Sequence, residues 1–123
     1  MVPNVKIAVV EHDQLTRDFI VNVMMYSVNR EIAAFEDGEG LDAYLRAGGN
    51  LDLVLADTQL PAISGLDLLK AVKKEFPSLV FVLMSADPAD EAPAAKLGAD
   101  AFLAKPFTIQ DLFDIIQLFV VCK

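Results

Sequence analysis

The chain has a single cysteine, Cys122, so no disulfide can close within it, and a reducing cytoplasm is its expected setting. Basic residues are scarce: 10 Lys and Arg stand against 18 Asp and Glu, for a net charge of −8. A nucleic-acid surface needs a basic face, so that class is excluded, while an excess of acid leaves room for a cation. Long hydrophobic runs are missing too. The opening "MVPNVKIAVVEHD" and the closing "LFDIIQLFVVCK" are both too short to span a bilayer, and the latter is interrupted by Asp114 and Gln117. We expect no membrane association. Also absent are internal repeats, low-complexity tracts, a Gly-rich phosphate loop, a Ser-His-Asp arrangement and Cys/His metal-ligand spacing.

What is present reads as one domain over residues 1–123, 54% hydrophobic and 23% charged, long enough to bury a core without staples. Five short apolar runs punctuate it: "KIAVV" (6–10), "IAAF" (32–35), "LDLVLA" (51–56), "LVFVLM" (79–84) and "AFLA" (101–104). The first, third and fourth are continuously apolar, as strands covered on both faces by helices should be. Between them lie helical spacings. Leu15, Phe19 and Val23 repeat at four, with Ile20 and Met24 beside them. Leu41 and Leu45 precede a Gly48-Gly49 stop, and Leu66, Leu69 and Val72 form a stripe ended by Phe76-Pro77. Segment 88–97 holds Pro88 and Pro93, which predicts a short or broken helix. The last helix starts at Thr108 as N-cap, with Asp111 in the capping-box position. Its residues Ile115, Ile116, Leu118, Phe119, Val120 and Val121 leave only a narrow polar stripe of Gln110, Asp114 and Gln117, so part of it is expected to be covered by a partner.

Five β-α repeats give an α/β, doubly wound parallel sheet with helices on both faces. Ligands then gather at the carboxyl ends of the strands. Those ends hold Glu11-His12-Asp13, Asp57, Ser85 and Lys105-Pro106. Clustered carboxylates repel unless a cation joins them, and hard oxygen ligands suit magnesium. A hydroxyl and an ammonium beside them are donors suited to phosphoryl oxygens. Taken singly, each residue also has a plainer role: Asp57 and Ser85 as turn formers, Lys105 as a solvated lysine, Phe102 as core.

The stretches "DLVLADTQLPAISGLDLLK" (52–70) and "GADAFLAKPF" (98–107) resemble the two hallmark segments of the response-regulator receiver domain. "AFEDGEGLDAYL" (34–45) and "VFVLMSA" (80–86) match it as well, so the likeness runs from about residue 5 to residue 121. It implies a CheY-like, flavodoxin-like (βα)5 fold with strand order 2-1-3-4-5 and a role in a two-component phosphorelay. It also implies that Asp57 accepts a phosphoryl group from a histidine kinase or phosphotransfer protein, with self-catalysed transfer and hydrolysis as its only chemistry. Lys105 would pair with the phosphoryl oxygens, and Ser85 and Phe102 would form the switch. Magnesium would be held by Glu11, Asp57 and the backbone carbonyl of Gln59, and Lys105-Pro106 would be a cis peptide. The switching surface would comprise the fourth helix, fifth strand and last helix, open to a homodimer or a downstream protein. No effector segment follows Lys123, so the domain is expected to act alone or to belong to a larger protein.

One position departs from this pattern. The family places two acids at the end of the first strand, and here His12 stands in the second place, between Glu11 and Asp13. A unit charge about 4 Å from a divalent ion is worth roughly 8 kcal/mol at an effective dielectric of about 20, before desolvation is subtracted. A neutral imidazole forfeits that gross term and prefers softer metals to magnesium. Three outcomes stay open: a weakened magnesium site that uses Asp13, a softer metal that uses His12, or a phosphorylation-independent pseudo-receiver serving as an interaction module.

Overall fold

The computed structural model describes residues 6–28 and 32–121. The elements are β1 (Ile7–Val10), α1 (Gln14–Val28), β2 (Ala33–Phe35), α2 (Gly38–Arg46), β3 (Leu53–Asp57), α3 (Gly65–Glu75), β4 (Val80–Ser85), a 3-10 turn (Pro88–Asp90), α4 (Glu91–Lys96), β5 (Ala101–Ala104) and α5 (Ile109–Ile116), which runs into a π-helical turn, Gln117–Val121. All strand pairs are parallel, in the order β2-β1-β3-β4-β5. This is the flavodoxin-like arrangement expected, and it puts β1 and β3 side by side at the centre.

Strand alternation divides the core in two. Ile7, Val9, Leu53, Leu55, Val82 and Met84 point to one face, where Ile20 and Met24 of α1 and Leu112, Ile115 and Ile116 of α5 cover them. Ala8, Val10, Val54, Ala56, Phe81 and Leu83 point to the other, under Leu41 and Leu45 of α2, Leu68, Leu69 and Val72 of α3 and Ala94 of α4. With both faces covered, the central strands need apolar residues at every position. That is why β1 and β3 read as unbroken runs that turn acidic only at Glu11 and Asp57.

Local chemistry sets the helix ends. Asp37 caps α2 by accepting from Gly40 N at 2.8 Å, and Ser64 caps α3 by accepting from Asp67 N at 3.1 Å. Thr108 and Asp111 form the expected capping box, at 3.1 and 2.8 Å. Pro93 does not break α4. It lies in the first turn, where its missing N–H has no intrahelical partner to lose, and the irregularity falls earlier, at the junction with the 3-10 turn.

One reading of an apolar stripe is corrected. In α1 the core face is Ile20 and Met24, whereas Leu15 is 82% exposed and Phe19 is also on the surface. Apolar residues surround this helix almost completely, so its period does not single out a face. On the last helix Ile115 and Ile116 belong to the chain's own core and Phe119 packs against it. Ile109, Phe113 and Leu118 are the large apolar residues left exposed there among the described residues. The side chains of Val120 and Val121, and Cys122 entirely, lie outside the described residues.

Candidate functional site

Glu11 directly follows β1, β3 ends in Asp57 and β4 in Ser85, and the segment after β5 begins with Lys105. Parallel registry brings these four to one edge: Val10 pairs with Ala56, Asp57 with Met84, and Ser85 with Ala104. Glu11 and Asp57 are 2% and 5% exposed. The Lys105 ammonium lies between them, Nζ 2.7 Å from Glu11 Oε1 and 3.1 Å from Asp57 Oδ1. Lys105-Pro106 is cis, as the family resemblance implies.

One ammonium facing two carboxylates leaves the cluster with net negative charge. Burial, then repulsion from Glu11, pushes the Asp57 carboxyl above the usual range, against the opposing hydrogen bonds from Lys105 and the Gln59 backbone N–H. For Lys105 burial disfavours the charge, but its bonds to Glu11 and Asp57 outweigh that and raise its pKa. The cluster is therefore anionic, desolvated and under-compensated, conditions that favour binding a further cation.

The turn after β1 is narrower in role than the sequence suggests. His12 is exposed, and its imidazole makes none of the hydrogen bonds of the pocket. The Asp13 carboxylate accepts from Thr16 N at 2.9 Å and Thr16 Oγ1 at 2.7 Å, the first Thr16 bond capping α1 and both holding its carboxyl below the usual range. Among the described residues no three His, Cys, Asp or Glu side chains converge as a metal cage. The expected acid cluster thus reduces to the Glu11–Asp57 pair.

Three contacts escaped the sequence reading. Asp13 N donates to Glu11 Oε2 at 3.0 Å, which fixes the carboxylate that Lys105 holds by its other oxygen. Arg17 Nη1 reaches the backbone oxygens of Glu11 at 2.9 Å and His12 at 3.3 Å, bracing the turn from α1. Ser85 Oγ donates to Asp90 Oδ2 at 2.6 Å and accepts from Asp87 N at 3.0 Å. No periodicity signals such side-chain bonds, so only the fold reveals them. Phe102 is half-buried against the core under α2, α3 and α4.

The family model for the response regulator receiver domain matches residues 7–117. The chain belongs to that family. Receiver domains are signalling domains of two-component response regulators. This receiver is 30% identical over 113 residues to the two-component response regulator ARR21 of Arabidopsis thaliana, covering 92% of this chain and 18% of that protein. It is 34% identical over 93 residues to the response regulator ArlR of Staphylococcus haemolyticus, covering 75% of this chain and 40% of that one. These relatives are far longer than the receiver described here. A receiver domain from Clostridium thermocellum superposes with a TM-score of 0.85 at 26% identity, over 96% of this chain and 95% of the other.

Between Asp57 and α3 the receiver's backbone is strained. Ile63 N donates to Pro61 O at 2.8 Å around Ala62, whose φ is +68°, a tight γ-turn that L-residues adopt at a cost. Relief of that strain is worth about 1–2 kcal/mol, and the extra unfolded-state freedom of glycine takes back about 0.5–1. Ala62→Gly is therefore expected to stabilise the receiver by about 0.5–1 kcal/mol in denaturant unfolding. A loss of stability would show that the turn is not strained.

Proposed function

We propose that Asp57 accepts a phosphoryl group from a phosphohistidine of a partner protein and later loses it to water. The observation that carries this reading is the buried Asp57 carboxylate, delivered by β3 to the Lys105 ammonium at 3.1 Å, with Ser85 ending the next strand. In the transfer an Asp57 oxygen bonds to phosphorus, the donor's P–N bond breaks, and the imidazole leaves. Lys105 holds Asp57 ionised despite its burial, then shifts its donors to the phosphoryl oxygens. Ser85 offers its hydroxyl hydrogen to the same group, and half-buried Phe102 follows the vacated space, carrying the change to the α4-β5-α5 face.

Glu11, Asp57 and the Gln59 carbonyl are the groups that would hold magnesium, and the uncompensated charge of the buried pair is the feature that fits it. Magnesium supplies neutralisation of the oxygens of the transferring group. His12 supplies no carboxylate, so the affinity is expected to be modest. His12→Asp should tighten magnesium binding by about tenfold and lower stability in its absence, which makes melting temperature rise more steeply with added magnesium. Equal magnesium responses in the two proteins would mean that position 12 does not face the ion.

Lys105 shares a pocket with Thr16, Phe19, Ala86, Pro106 and Phe107, in which Phe19 stacks on Phe107 at 6.4 Å. An apolar surface next to the acceptor supports a protein donor, a histidine kinase or phosphotransfer protein, over a small molecule. Exposed Ile109, Phe113 and Leu118 on and after α5 support a second protein contact, with a like domain or a downstream partner. Among the described residues no helix is long and apolar enough to cross a membrane, and we place the relay in the cytoplasm. The phosphorylation-independent reading is not favoured, because Asp57, Lys105 and Ser85 are all in place. Acetyl phosphate with magnesium should add one phosphoryl mass to the wild type and none to Asp57→Asn. Equal labelling of both would overturn the assignment.

A further inference from the structure

Ser85 is 2% exposed, and its one hydroxyl hydrogen is committed to Asp90 Oδ2 at 2.6 Å, a short, charge-assisted bond. Asp90 is the N-cap residue of α4, where an aspartate ordinarily accepts from the helix's first amides, yet its side chain makes no capping bond. Asp87 takes over that task one turn earlier by accepting from Ala89 N at 2.9 Å. The Asp90 carboxylate is thereby diverted from its own helix onto the end of β4. The helix it belongs to is lightly held. α4 is six residues long, and Ala94 is its one buried residue.

We propose that Asp90 is a positioning residue that latches the Ser85 hydroxyl to the first turn of α4 in the unphosphorylated receiver, and that a phosphoryl group on Asp57 must take the same hydrogen from it. This rests on the reading of Asp57 as phosphoacceptor. A serine donates one hydrogen, so the two acceptors compete. When the phosphoryl group wins, Ser85 turns from Asp90, and α4 loses its side-chain tie to the sheet edge. The latch thus does two things at once. It opposes the switched state, and it makes release of α4 a direct consequence of phosphoryl capture.

The test uses beryllofluoride with magnesium as the phosphoryl stand-in on the whole chain, comparing wild type, Asp90→Ala and the isosteric Asp90→Asn, each with Ser85 and with Ser85→Ala. Removing the competitor should tighten beryllofluoride binding by about tenfold for Asp90→Ala, given the usual worth of a hydrogen bond to a charged group, and by less for Asp90→Asn, whose amide oxygen still accepts. In the Ser85→Ala background both changes should vanish, because the latch acts only through that hydroxyl. An equal effect in both backgrounds, or none in either, overturns the latch and assigns Asp90 a purely structural role. Amide exchange at Asp87, whose N–H donates to Ser85 Oγ at 3.0 Å, reads the latch without any phosphoryl stand-in. It should speed up in Asp90→Ala, and unchanged exchange overturns the latch while leaving Asp57 untouched. Wild type that shows the latch by exchange but binds no beryllofluoride overturns the phosphoacceptor reading, and the competition with it.

Discussion

Lys105→Met is expected to lose about 3 kcal/mol of stability at neutral pH. Methionine keeps the length and apolar stem of the side chain but removes the ammonium that touches Glu11 Oε1 and Asp57 Oδ1. Breaking a buried ion pair by deleting one partner costs about 3–5 kcal/mol, because the remaining charge is buried without compensation. Here two carboxylates would be left, repelling each other, while the 22% exposure of the Lys105 side chain admits some water and places the loss at the lower end. The pH dependence has a definite sign. Without Lys105 the Asp57 carboxyl, already raised by burial and Glu11, loses the bond that opposes the rise and moves further above its unfolded value, so the folded protein binds more protons than the unfolded one across the acidic range. Stability then falls as pH rises through that range. The deficit should therefore be large at neutral pH and shrink in mild acid. In the wild type, the raised pKa of Lys105 stabilises at every pH below its unfolded value. That stability is lost only as pH climbs through the folded-state value. Urea unfolding of both proteins at neutral and mildly acidic pH measures this directly. A variant as stable as wild type at neutral pH would mean that the carboxylates are solvated and the cluster is not a buried charge site.

The second large effect is expected at Gly65, the first residue of α3. A Cβ there would collide with the backbone oxygen of Asp57 and come within 2.7 Å of Thr58 Cα. These are backbone atoms at the end of the acceptor strand and cannot swing aside as a side-chain tip would. Gly65 N also donates to Thr58 O at 2.8 Å, which ties the start of α3 to the adjoining peptide. Alanine would gain at most about 1 kcal/mol of helix propensity, whereas forcing apart a packed backbone costs about 1–3 kcal/mol and occasionally more. Gly65→Ala should therefore be net destabilising by about 2 kcal/mol. It should also slow phosphoryl acceptance, because the strain is relieved by moving the Asp57 peptide. Denaturant unfolding together with labelling by a small phosphodonor checks both parts. A fully active, stable Gly65→Ala would show that the strand end has slack.

Much of this was legible in the sequence, for identifiable reasons. Strands covered on both faces must be apolar throughout, so "KIAVV" and "LDLVLA" declared themselves, and their acidic ends pointed to a common edge. The Thr108–Asp111 capping box is local chemistry and was read directly. Helix α1 was not readable to the same degree, because its apolar residues do not favour one side, and only packing under α5 selects Ile20 and Met24. The pocket was half legible. Which residues meet at the edge follows from topology, but which cation compensates Glu11 does not. Lys105 reaches Glu11 across 94 positions, a separation no local pattern encodes. The departure at His12 was visible at once, yet its consequence depended on a turn braced by Arg17 and a carboxylate diverted to Thr16. Asp90 gave no signal beyond standing near two prolines, since its partner is chosen by the 3-10 turn.

The most direct test of Asp57 as the phosphoacceptor is to locate the phosphoryl group. Wild-type protein is treated with a small phosphodonor and magnesium, reduced with borohydride, which converts an aspartyl phosphate to homoserine, then digested and sequenced by mass spectrometry. Homoserine is expected at position 57 and at no other carboxylate, with the yield collapsing in Lys105→Met. Homoserine at another aspartate, or label that survives in Asp57→Asn, would contradict it.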